Sequence, residues 1–221
     1  MTSKNFSLRL VAVAALLGLS GAAQAALTVY TDEASFMAAV INAGTDDFSG
    51  LAAGDLGGSL SRSTLTNVYT YDATAPLHVF GIVGPPNWLS VANAADTLSV
   101  GNFGAGVKAV GGTFFNTDTA GAFSAGNLTV TGSDGGLPVS SILITGATTG
   151  SFVGFVSTGL ISSLTLVSDN SLNGIPDFSY PTVGSLVLAS AMPVPEPETY
   201  AMLLAGLGLV GFLARRRRRR V

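Results

Sequence analysis

Leu128-Thr129-Val130-Thr131-Gly132-Ser133-Asp134-Gly135-Gly136-Leu137-Pro138-Val139-Ser140-Ser141-Ile142-Leu143-Ile144-Thr145 decides the fold class. Leu128 to Thr131 and Ser140 to Thr145 alternate apolar with small or polar residues, the period of a strand with one buried face. Ser133-Asp134-Gly135-Gly136 between them tolerates the positive φ of a turn. Outward from this stretch the alternation recurs at Thr64 to Tyr71, Leu77 to Val83, Val107 to Phe115, Ser151 to Ser157, Ser162 to Val167 and Val183 to Ala189. Many short strands with glycine, asparagine and aspartate between them predict an all-β domain, an antiparallel β-sandwich or jelly-roll-like fold. Leu27 to Tyr30 reads as its first strand. One short N-terminal helix is expected next, capped by Thr31 and started by Asp32 and Glu33. Phe36, Met37, Val40 and Ile41 would form its apolar face and Gly44 its stop, with the helix across the sandwich edge.

Charge separates the body from the ends. Lys4 and Arg9 stand near the N-terminus and six arginines near the C-terminus, which leaves Arg62 and Lys108 against eleven acids, Asp32 through Asp177. A balance of −9 repels nucleic acid and anionic lipid and tolerates neutral sugars and divalent cations. There is no cysteine, so neither disulfides nor thiolate zinc can support the fold.

Residues 1–25 have the order of a secretory signal peptide. A basic start is followed by the apolar run Leu10 to Leu19, too short to span a bilayer, and then by the small-x-small site Ala23-Gln24-Ala25. The β domain is expected over 26–190. Residues 191–221 combine an extended Val194-Pro195-Glu196-Pro197-Glu198, an apolar run from Tyr200 to Ala214 and a basic plug. The prolines keep the first part out of helical geometry. The apolar run is about 22 Å long as a helix, against a hydrocarbon core of about 30 Å, and Tyr200 and the arginine stems extend its reach. Arg215, Arg216, Arg217, Arg218, Arg219 and Arg220 should stop transfer and keep a transmembrane helix from passing through. Gly206, Gly208 and Gly211 match a dinucleotide fingerprint in spacing only, since no strand precedes them and the chain ends ten residues later.

Pro195-Glu196-Pro197, the apolar helix and the arginine cluster together resemble the PEP-CTERM sorting signal of Gram-negative bacteria. The resemblance implies a cytoplasmic-membrane-anchored precursor recognised at Pro195, Glu196 and Pro197 by an exosortase, with Arg215 to Arg220 as the retention plug. It also implies release to the cell surface or extracellular space and association with exopolysaccharide. Val29 to Leu51 is loosely similar to the opening of many PEP-CTERM β-sandwich proteins.

The body offers little chemistry. His78, the lone histidine, fits the polar side of a strand better than a catalytic role, having no cysteine partner. Asp46-Asp47 could in principle serve glycoside hydrolysis, but adjacent strand residues point apart and the pair reads as surface acids. In Asp169-Asn170-Ser171-Leu172-Asn173-Gly174-Ile175-Pro176-Asp177, oxygen-bearing Asp169, Ser171 and Asn173 alternate, a glycine follows for the sharp turn, and then Asp177. That order resembles a degenerate form of the aspartate loops of extracellular calcium modules, and it also suits a plain hairpin turn. Trp88, expected in a loop, either packs against the body or presents its ring to a sugar. Phe103, Phe114, Phe115 and Phe123 read as core. The expectation is a non-catalytic surface or matrix protein; a secreted carbohydrate-active enzyme and a tail-anchored periplasmic binding domain are the alternatives.

Overall fold

The computed structural model describes residues 27–135, 139–169, 178–192, 204 and 206–208. The chain divides into two compact units, Met1–Ala191 and Met192–Val221. The strands are β1 (Leu27–Tyr30), β2 (Val40–Asp46), β3 (Gly54–Asp55), β4 (Ser59–Ser63), β5 (Thr70–Thr74), β6 (Val79–Ile82), β7 (Trp88–Val91) and β8 (Leu98–Gly101). There follow β9 (Ala109–Thr117), β10 (Phe123–Ser124), β11 (Gly126–Ser133), β12 (Ser140–Ala147), β13 (Phe152–Ser157), β14 (Ser163–Ser168) and β15 (Tyr180–Ala191). A short helix, α1 (Glu33–Ala38), separates β1 from β2.

All pairings are antiparallel, as the alternating runs predict. The larger sheet runs β1-β13-β9-β15-β7-β6-β3, with β10 beside β9 and β2 beside β15. The smaller runs β12-β11-β14-β8-β5-β4. One core joins them: Val110, Phe114, Val153, Phe155, Leu186 and Leu188 from the larger sheet with Leu128, Val130, Leu164, Leu166, Leu98 and Val100 from the smaller. Leu128, Val130 and Gly132 are the buried positions of β11. The third is glycine because a Cβ there would lie 2.6 Å from Cγ of Phe155, whose ring fills the space.

Helix α1 departs from the sequence expectation in start, length and position. Asp32 is the N-cap, accepting from the Ser35 amide at 2.8 Å, so Thr31 plays no capping part. The helix ends at Ala38, and Val40 to Asp46, with Gly44, form strand β2 along β15. β-branched Val40 and Ile41 suit a strand, and pairing with the long β15 outweighs the helical spacing of the apolar residues. Met37 and Ile41 are exposed. Phe36 is fully buried, but against the outer face of the larger sheet rather than its edge, among Val40, Ala109, Phe152, Val187 and Ala189. Its ring lies over Gly154, where a Cβ would collide with it, and near Gly111, where a Cβ would meet Phe152 at 2.9 Å and Phe36 at 3.2 Å; it tilts against Phe152 at a 5.4 Å centroid distance.

The run Thr64 to Tyr71 is also corrected. Residues 64–69 form a turn between β4 and β5, with Asn67 at φ 46 and Thr64 Oγ1 accepting from the Tyr69 amide at 3.0 Å. Phe123, expected in the core, is 41% exposed. Among the described residues no helix is long and apolar enough to cross a membrane, and the run Tyr200 to Ala214 falls almost entirely outside them.

Phe36→Ala should lower stability by about 3–5 kcal/mol, the cost of emptying an aromatic site. Gly154→Ala should also destabilise, by forcing the Phe36 ring off the sheet. Urea unfolding of both variants checks the account; wild-type midpoints would refute it.

Candidate functional site

Asp46 ends β2 in the larger sheet, while Arg62 and Tyr71 face each other across β4 and β5 in the smaller. The Asp46 carboxylate is fully buried, against the expectation of a surface acid, and Asp47 beside it is exposed. Asp46 Oδ2 accepts from Arg62 Nε at 2.6 Å and from the Tyr71 hydroxyl at 2.7 Å. Oδ1 accepts from Arg62 Nη2 at 2.8 Å and from the Phe48 amide at 2.8 Å. The guanidinium also lies 5.5 Å from the centroid of the Phe48 ring. This bidentate geometry is the strong form of a carboxylate–arginine pair. Among the described residues no buried side-chain polar atom lacks a partner, so the ions are buried at tolerable cost. The Asp46 hydrogen bond and charge hold the Arg62 pKa above its ordinary value. Burial first, then the Asp46 charge, pushes the Tyr71 phenol well above its usual range.

On the solvent side of the same strands, Ser61, Arg62, Ser63, Thr70, Tyr71, Asp72 and Asn102 line an open depression of ≈ 380 Å³. Asp72 Oδ1 accepts from the Ser61 hydroxyl and Oδ2 from Asn102 Nδ2, both at 2.6 Å. These two hydrogen bonds hold the Asp72 carboxyl below the usual carboxylate range. The depression opens onto the outer face of the smaller sheet. Strand registers align one residue from each of its six strands in a row: Ser59, Thr74, Ser99, Thr165, Thr131 and Ser141. All six bear hydroxyls, and Thr131 Oγ1 and Ser141 Oγ lie 2.7 Å apart. A second row, Ser61, Asp72, Gly101, Ser163 and Ser133, runs beside it. Each core residue on these strands alternates with one of these outward groups, so a period-2 core sets the hydroxyls on a single face.

Sequence-predicted residues are placed elsewhere or fall outside the described residues. Trp88 opens strand β7 instead of a loop and is half-buried, edge-to-face on Phe115 with centroids 4.9 Å apart. His78 is exposed and pairs through Nδ1 with Asp55 Oδ2 at 2.5 Å. Asp169 is half-buried, its amide donating to the Asn127 carbonyl at 3.0 Å. Ser171, Asn173 and Asp177 lie outside the described residues, as do Pro195, Glu196, Pro197 and Arg215 to Arg220. No cluster of three metal-ligating side chains occurs among the described residues. Sequence reasoning missed the Asp46–Arg62–Tyr71 clamp. Its one clue was that Arg62 is one of two bases in an otherwise acidic body.

Arg62→Ala should cost about 3–5 kcal/mol by stranding a buried carboxylate, and Tyr71→Phe about 1–3 kcal/mol. The phenol's folded pKa lies above its unfolded value of about 10, so its contribution is complete below that pH and declines as pH rises past it. Urea midpoints measured from neutral to alkaline pH should fall less steeply for Tyr71→Phe than for the wild type. Equal slopes would contradict this origin of alkaline sensitivity.

A family model described as the PEP-CTERM protein-sorting motif matches residues 193–219, which span Pro195-Glu196-Pro197, the apolar run and five of the six arginines. No curated protein and no solved structure matches the chain significantly. The motif marks a membrane-anchored precursor sorted through exosortase to the cell surface. The chain therefore carries a PEP-CTERM protein-sorting motif at residues 193–219.

Proposed function

We propose that the body acts at the cell surface as a non-catalytic binding component of the extracellular matrix, holding neutral exopolysaccharide on the outer face of its smaller sheet. The observation that carries this reading is the hydroxyl row Ser59, Thr74, Ser99, Thr165, Thr131 and Ser141 across all six strands. Hydroxyls donate and accept, so such a row can match the hydroxyls of a sugar chain without a charged group. Neighbouring strands lie about 4.8 Å apart, which repeats the contact along the face. Each contact is weak against water, and affinity comes from many engaged at once. An acidic body with two bases disfavours an acidic polymer. The clamp beneath the face keeps its strands in register.

Two measurements test the reading. Intact mass of the native protein should give a species starting near Ala26 and ending near Pro195. A membrane-bound form that retains Arg215 to Arg220 as the sole product would overturn removal of the tail. Thr131→Val with Thr165→Val preserves shape and strand propensity while deleting two central hydroxyls. The double variant should lose retention on the host's neutral exopolysaccharide in affinity electrophoresis, with an unchanged melting temperature. Undiminished retention would overturn the binding face.

A further inference from the structure

The two sheets end on β1 and β3, and on β12 and β4. β1, β3 and β4 are four, two and five residues long, which leaves short edges. The free side of β2 is covered by the 64–67 turn, where the Leu65 amide donates to the Thr45 carbonyl and Asn67 Nδ2 to the Ala43 carbonyl, both at 2.9 Å. β12 is different. It has eight residues, and among the described residues of the β unit no strand pairs with its outer side. Natural sheets protect such edges with lysine, proline, bulges or inward charges. Ser140 to Ala147 has no charged residue and no proline. Its one bulge sits near the strand's end, where Thr145 and Gly146 (φ 61) together oppose Asn127, and Ser140 to Ile144 keep regular register with β11. On its outer face Leu143 is 56% exposed. On the other face Ile142 and Ile144 are half-buried, packed against the core.

The residue types from Ser141 to Thr145 are symmetric about Leu143: hydroxyl-bearing Ser141 mirrors hydroxyl-bearing Thr145, and Ile142 mirrors Ile144. We infer that β12 is a self-recognition edge, through which two copies of this chain pair antiparallel about a two-fold axis at Leu143. Pairing would satisfy the outward backbone groups of both strands and join the two smaller sheets into one. Leu143 then lies opposite the partner's Leu143 and covers its exposed surface. Ile142 faces the partner's Ile144 on the core side and closes that edge of the core. Ser141 meets the partner's Thr145, the same hydroxyl pairing that Thr131 and Ser141 make within the sheet at 2.7 Å. Charge directs the encounter to this side. No charged residue lies between Asp134 and Asp169, nor anywhere in β11, so two acidic bodies repel least when β12 meets β12.

The chain has no cysteine, so single cysteines in the exported protein purified from its own cells report the contact. Antiparallel neighbours across the axis have Cα atoms about 4.5–5.5 Å apart, within disulfide reach. Leu143→Cys should form a disulfide-linked dimer under mild oxidation, whereas Val68→Cys, 73% exposed in the turn between β4 and β5, should not. Leu143→Lys sets like charges opposite each other and should reduce the sedimenting mass from two chains to one, with an unchanged melting temperature. This site-specific pair separates β12 contact from association through the C-terminal apolar run. The inference is overturned by a wild-type protein that sediments as one chain or with a different protein. It is equally overturned if Leu143→Cys cross-links no faster than Val68→Cys, or if Leu143→Lys remains dimeric.

Discussion

A single buried carboxylate ties the two sheets together. Asp46 projects from the larger sheet and collects Arg62 and Tyr71 from the smaller, plus the Phe48 amide. In a chain without disulfides, dispersion and apolar burial provide most of the cohesion between sheets, but neither is directional. The clamp adds direction: a planar guanidinium on a planar carboxylate accepts little rotation or slip. It therefore sets which residues of β4 and β5 face inward, and so which hydroxyls face outward. Its cost is the desolvation of two ions, offset by complete hydrogen bonding within the pocket.

Away from the clamp, glycine shapes the packing. Gly132 leaves room for the ring of Phe155 inside the core, and Gly111 and Gly154 leave room for Phe36 outside it. The larger sheet thus receives a helix on its outer face, while no described element covers the corresponding face of the smaller sheet. Among the described residues, a helix packs on the outer face of one sheet and a row of hydroxyls lines that of the other.

The covered and uncovered surfaces also differ in how legible they were. Alternation located β1, β6, β9, β11, β12, β13, β14 and β15, because a half-buried strand writes its period into neighbouring residues. β3 and β10, at two residues each, are too short to show a period. Phe36, Met37, Val40 and Ile41 satisfy helical spacing, and only the pairing of β2 with β15 resolves the conflict in favour of a strand. Pro85 and Pro86 just before Trp88 favour a loop, and its pairing with Ile82 makes it a strand residue instead. Acids usually lie at the surface, and no local pattern announces that Asp46 has a partner sixteen residues away.

By itself, the sequence determined the all-β class, the acidic cysteine-free body and the sorting motif at residues 193–219, since each is written in contiguous residues or in bulk composition. Only the tertiary structure decided the order of strands, the truncation of α1, the Asp46–Arg62–Tyr71 clamp, the hydroxyl row and the unpaired edge of β12. Each depends on which distant strands become neighbours. That choice is made by packing a shared core and pairing strands in register, interactions that a reading of local periodicity does not contain.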